Sequence, residues 1–167
     1  MRAGFLKSVA KSVPKGVSLL GLDVGQKTIG VAVCDDAQRV ATPVTTIFRT
    51  KFSKDLKEIE RLVEEFCAGG FVIGLPLHMD GREGRRAQSV RDFAAELEAQ
   101  ISKDLLPGGS VWIAFQDERL STVTVDGIVD EYVDKRKTRV RAKQDGLTDK
   151  LAAQVILQSA LDFLALN

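Results

Sequence analysis

The chain has 167 residues with 24 Lys plus Arg against 23 Asp plus Glu, a formal net charge of +1. No global field draws it to nucleic acid or membrane, so any basic surface has to be local. A hydrophobic content of 44% with 28% charged residues is that of one globular domain with a sizeable core, and no apolar run is long enough to span a bilayer.

Residues 1–16 carry Arg2, Lys7, Lys11 and Lys15 with no acid and no signal-peptide core. They read as a short basic extension, disordered or loosely docked, rather than an organelle presequence, which leaves residues 17–167 as a single domain. Leu19 to Val33 follows, two apolar strand-like runs about a polar turn at Gly25 to Lys27, the pattern of a β-hairpin. Asp23 ends the first run among Leu20, Leu22 and Val24, where a carboxylate is expensive unless something cationic compensates it. Gly25 removes a side chain that would keep a phosphate or metal from the backbone. The plainer reading is an Asp-x-Gly turn.

Arg39 to Phe48 alternates enough for a third strand, with Pro43 marking an edge or bulge. Lys54 to Phe66 has helical spacing and Gly69-Gly70 is expected to stop it. Phe71 to Leu75 reads as a strand buried on both faces. Pro76 to Gly84 is a polar loop holding His78, the one histidine, and Glu83 to Lys103 is helical, with Arg85 and Arg86 in its exposed start. Val111 to Phe115 is a buried-type strand running into Gln116-Asp117-Glu118-Arg119. Ser121 to Tyr132 looks helical with Ser121 or Thr122 as N-cap, Lys135 to Lys143 is a basic run, and Leu147 to Leu164 is the last helix. Cys34 and Cys67 lie in or end apolar runs without metal-ligand spacing and read as buried thiols of a reducing, cytoplasmic compartment. The order implies an α/β fold: a mixed sheet of three antiparallel strands, then parallel strands on right-handed crossovers, covered by helices.

Three acids fall at the ends of core elements. Asp23 ends the first strand, Glu118 follows the strand Val111 to Phe115, and Asp149 opens the last helix on its apolar face with Ala152, Ala153 and Ile156. Helix capping alone would explain an acid in a first turn, though not one on the buried side. Ligands of open α/β sheets gather beyond the carboxyl ends of parallel strands, where Asp23 and Glu118 both fall. Three converging carboxylates need a divalent cation to neutralise them, and all-oxygen ligation suits Mg²⁺ or Mn²⁺. That set fits phosphodiester hydrolysis. The run Lys135 to Lys143, with Arg136, Arg139 and Arg141, supplies basic side chains for a nucleic-acid backbone, unless it is a solvated loop. His78 is read as a loop residue touching substrate.

Gly21-Leu22-Asp23-Val24-Gly25 with Ile29-Gly30-Val31-Ala32-Val33, Gly74-Leu75-Pro76-Leu77, Met79-Asp80-Gly81, Asp117-Glu118-Arg119-Leu120-Ser121-Thr122 and the Asp149…Ala152-Ala153…Ile156-Leu157-Gln158 helix closely resemble the YqgF/RuvX family. Its members are described as pre-16S ribosomal RNA nucleases and as Holliday-junction-resolvase-like. The resemblance runs in order from about Ser18 to Asp162. It implies an RNase H-like fold, here with five strands and helices on both faces, and a divalent-metal nuclease whose acids fall on Asp23, Glu118 and Asp149. His78 stands where the family habit is Asn, and the Lys135 to Lys143 run is denser than usual for the family.

The expected activity is thus metal-dependent endonucleolytic hydrolysis of ribosomal RNA precursor, at the 5′ end of pre-16S rRNA. Lys27 and Arg119, close in sequence to two of the acids, are expected phosphate contacts. One rival keeps the fold and cleaves branched DNA as a Holliday junction resolvase, for which symmetric nicking needs a homodimer rather than a monomer. Another is a non-catalytic nucleic-acid-binding module. An actin-like ATPase fragment would need a second lobe that 167 residues do not accommodate.

Overall fold

Side chains alternate across a strand, and the Leu19 to Val24 run uses both faces. Leu20, Leu22 and Val24 enter one hydrophobic cluster while Leu19 enters another. A strand apolar on both sides belongs at the centre of a sheet covered by helices. The computed structural model describes residues 3–119 and 147–167. In it β1 (Gly4–Phe5), β2 (Ser18–Val24), β3 (Thr28–Cys34), β4 (Ala41–Phe48), β5 (Ala68–Leu75) and β6 (Trp112–Asp117) form one sheet in the order β1-β6-β5-β2-β3-β4. β2, β3 and β4 are the antiparallel meander, and β5 and β6 join β2 in parallel. This is the RNase H-like arrangement that the resemblance implied.

Two helices, α2 (Phe52–Phe66) and α3 (Arg85–Gln100), cover one face; the last, α4 (Leu147–Ala165), covers the other. On α2 the stripe Leu56, Ile59, Leu62 and Val63 is buried, while Arg61 bridges Glu58 and Glu65 on the solvent side. β4 is the edge strand that Pro43 announced, and the register slips opposite it, between Val31 and Ala32. The expected helix from Ser121 to Tyr132 lies outside the described residues.

Three expectations are corrected. Among the described residues the sheet has six strands, not five, because part of the N-terminal extension is docked as an edge strand. Gly4–Phe5 pairs in parallel with Ala114–Phe115, α1 (Leu6–Val9) follows, and the Trp112 indole donates to the Val9 carbonyl at 3.0 Å. Leu6 and Val13 are buried while Lys7, Lys11 and Lys15 stay in solvent, so the basic face hid an apolar one that closes the β6 edge. Gly69-Gly70 does not stop α2. Cys67 does so in a left-handed conformation (φ 53°), and both glycines lie in β5. Their missing side chains leave room for Val17 and Trp112, which a Cβ would meet at 2.6 and 2.8 Å. Cys67 is therefore exposed rather than buried. Cys34 is buried as expected, and burial pushes its thiol up to about 11.

Helix α4 rests on glycine. A Cβ on Gly21 would lie 2.7 Å from Leu157 Cβ and 2.9 Å from the Ala153 carbonyl oxygen. Gly21→Ala is expected to push the helix off the sheet and cost about 1–3 kcal/mol, the usual range for overpacking. A urea midpoint equal to wild type would show that α4 is held otherwise.

Candidate active site

Asp23 sits in one row with two glycines. It pairs directly with Gly30 on β3, and on β5 Gly74 lies one step beyond the Leu22–Ile73 pair. Both glycines make room for another acid. A Cβ on Gly30 would run into the backbone carbonyl of Asp149, in the first turn of α4. A Cβ on Gly74 would collide with the Glu118 carboxyl and stand 2.5 Å from Ile156 Cδ1. The Asp149 backbone thus lies over one neighbour of Asp23 and the Glu118 side chain over the other.

Two of the three expected acids meet. Glu118 follows β6, its N–H bonded to the Leu75 carbonyl at 3.2 Å, and its carboxyl hydrogen-bonds that of Asp23. Burial, then the Asp23 charge, push Glu118 from its ordinary 4.5 up to about 8, so it holds a proton at neutral pH. Burial also raises Asp23. The proton offered by Glu118 opposes that rise, the Asp149 charge adds to it, and the Arg86 charge opposes it. The Asp149 carboxylate accepts a hydrogen bond from Thr28 Oγ1 at 2.9 Å. Among the described residues no three acid, His or Cys side chains are gathered as a ready metal cage. The donor chemistry nevertheless fits a hard divalent cation. Two largely enclosed carboxyls side by side, with the Asp149 charge felt at the first, offer only hard oxygen donors.

The hairpin tip beside Asp23 is clamped from behind. Arg49 donates through its guanidinium to the Gly25 carbonyl at 2.6 Å and through its backbone N–H to the Lys27 carbonyl at 2.8 Å. It also stands 3.8 Å from buried Asp55, in the first turn of α2. No spacing rule flags Arg49 or Thr28, because Gly25 and Asp149, the site residues they bond, are 24 and 121 residues away in sequence.

The other expected contacts fare differently. Lys27 is exposed at the hairpin tip, on the edge where the acids meet. His78 is exposed, its ring over Gly84, where a Cβ would lie 2.5 Å from Nε2. Arg119 forks onto Asp117 at 2.5 Å and reaches the Met79 carbonyl at 3.3 Å, so its charge is already answered. Arg136, Arg139 and Arg141 lie outside the described residues.

The family model described as "RuvX: Holliday junction resolvase" matches residues 17–163. The chain belongs to the RuvX family. Relatives of this RuvX-family chain bear the name "Putative pre-16S rRNA nuclease". The one from Rhodospirillum centenum is 45% identical over 159 residues, 95% of this chain and 80% of its own. The one from Rhodobacter capsulatus is 48% identical over 156 residues, 93% and 90%. Among solved structures, Thermus thermophilus RuvC aligns with a TM-score of 0.48 at 10% identity over 84% of this chain and 92% of its own. Fowlpox virus resolvase with Holliday junction DNA aligns at 0.46 and 10%, over 89% and 97%.

The raised carboxyls set a pH dependence. Folding holds the Glu118 proton up to about 8, against an ordinary 4.5, so the native state binds more protons than the unfolded chain between those values. In chelator, this contribution to stability is complete below about 4.5 and is lost as pH rises toward about 8. Glu118→Gln is expected to flatten that slope in urea titrations. An unchanged slope would mean that the carboxyl is not buried against Asp23.

Proposed function

We propose that this protein is a divalent-metal-dependent endonuclease that cuts phosphodiester bonds of ribosomal RNA precursor, at the 5′ end of pre-16S rRNA. The observation that carries the reading is the Glu118 carboxyl lying over Gly74 against Asp23, with the Asp149 charge felt at the same place. Family membership and the names of the relatives support nuclease activity, and the relatives' names favour RNA.

Asp23, Glu118 and Asp149 would hold Mg²⁺ or Mn²⁺, and such an ion supplies Lewis-acid polarisation of the phosphate and a more acidic attacking water. Asp23 is the fixed member, on a central strand between two partners. Glu118 has to release the proton it shares before it can offer both oxygens. Asp149 is preset by Thr28, which can turn its hydroxyl without moving α4. Lys27 and His78, exposed around the same edge, would contact the RNA, together with the basic run that includes Arg136, Arg139 and Arg141. Arg119 serves better as the partner that orients Asp117 beneath the loop. A cytoplasmic protein acting as monomer or homodimer fits this role; no helix among the described residues is long and apolar enough to cross a membrane.

The test is side-by-side cleavage of a labelled precursor-rRNA fragment and a synthetic four-way DNA junction, each with Mg²⁺, Mn²⁺ or chelator. Wild type is expected to cut the RNA only with metal, and Asp23→Asn to cut slower by on the order of a thousandfold with an unchanged circular dichroism spectrum. Junction cleavage alone would transfer the reading to the resolvase. Binding without cleavage under any metal would leave a nucleic-acid-binding module.

A further inference from the structure

Around the carboxyl edge of the sheet nearly every arginine already has an acid. Arg49 faces Asp55, Arg82 faces Asp80, Arg91 faces Glu83 and Arg119 faces Asp117. Arg85 and Arg86 have none: among the described residues neither guanidinium makes a hydrogen bond or an ion pair. They stand side by side in the first turn of α3, which contains no acid. Two adjacent cations there repel each other and the positive end of the helix, a cost that a bound anion would relieve.

They also line a space. A groove of about 220 Å³ opens between them, Ser89 and the Val24-Gly25-Gln26 segment. Val24 and Gly25 directly follow Asp23 at the same end of β2, and because side chains alternate along a strand the groove lies against the α3 face while the acid pair lies on the α4 face. Gly25 contributes no side chain to it, and Arg49 holds that turn in place through the Gly25 carbonyl. The Arg86 charge is felt by both Asp23 and Glu118 and opposes the rise of each, which ties it to the pair although no ion pair forms.

We propose that this groove is a subsite for one backbone phosphate of the bound RNA, flanking the bond at the acid pair, with Arg86 as its main contact and Arg85 beside it. The proposal rests on the nuclease reading and deepens it. A planar guanidinium matches two phosphate oxygens at once, and Ser89 can add a hydroxyl donor. A cationic groove abutting an anionic site fixes where the strand lies: its phosphates are attracted at Arg86 and would be repelled by Asp23 and Glu118 without a countercharge. Arg86 therefore acts in binding and register rather than on the reacting atoms.

The test is titration of a short labelled single-stranded RNA by fluorescence anisotropy, in chelator so that nothing is cut, over a series of salt concentrations. Wild type is compared with Arg86→Gln, Arg86→Lys and Arg39→Gln, the last removing an equal charge from the turn between β3 and β4, at the opposite end of β3. Arg86→Gln is expected to bind about tenfold more weakly. Its plot of log affinity against log salt should be shallower by about 0.7, the share of one phosphate contact on a single strand. Arg86→Lys should keep the wild-type slope, and Arg39→Gln should match wild type in both quantities. Equal effects of Arg86→Gln and Arg39→Gln, or an unchanged slope in Arg86→Gln, would overturn the subsite while leaving the nuclease reading in place. A wild type without affinity for RNA in chelator would overturn the subsite, while the nuclease reading is decided by the cleavage test with metal.

Discussion

The candidate site depends on one crowded contact. The Glu118 carboxyl occupies the space above Gly74 that a side chain would fill, and from there it reaches Asp23. Remove that vacancy and Glu118, which belongs to the strand two places away, has no path to the central strand. The same device works on the other flank, where Gly30 admits the backbone of Asp149. The two acids beside Asp23 are therefore delivered by absent side chains. The cost is charge crowding in a low-dielectric place, expressed as a proton that Glu118 retains well above its ordinary range.

A site of this kind needs stiff surroundings, because its members repel. α4 lies on Gly21 at backbone distance and contributes Ile156 beside the Glu118 carboxyl, so the helix that carries Asp149 also walls in Glu118. The hairpin tip cannot drift, being bonded to Arg49, which is in turn set by Asp55 and by the Phe93 ring 5.5 Å away. At the far edge β1 and α1 close the exposed side of β6, the strand that ends in Asp117 and leads to Glu118. The N-terminal segment thus bears on the site through the strand it covers, without touching the acids.

Much of this arrangement was legible in the residues. Period-two and continuous apolar runs marked β2 to β6, and helical spacing marked α2, α3 and α4. Asp23 and Glu118 stood out because carboxylates rarely end strands that are apolar on both sides. The remainder is tertiary and leaves little trace along a chain. Gly69 and Gly70 look like a helix stop, and only the packing of Val17 and Trp112 against them shows that they belong to a strand. Gly30 and Gly74 sit inside strands and give no sign of the acids they admit. The basic character of residues 1–16 concealed Leu6 and Val13, whose burial becomes evident once β6 is seen to offer an open edge. Arg119 is expected as a phosphate contact from its place beside Glu118, and only the folded chain shows its charge paired with Asp117.

The central claim is that the Asp23 and Glu118 carboxyls are the seat of a divalent cation. Calorimetric titration of Mn²⁺ into metal-free protein measures this without any assumption about substrate. The account predicts saturable binding by the wild type that disappears in the Asp23→Asn, Glu118→Gln double variant while its fold persists. Equal binding by the two proteins would contradict it, and so would a wild type that takes up no Mn²⁺.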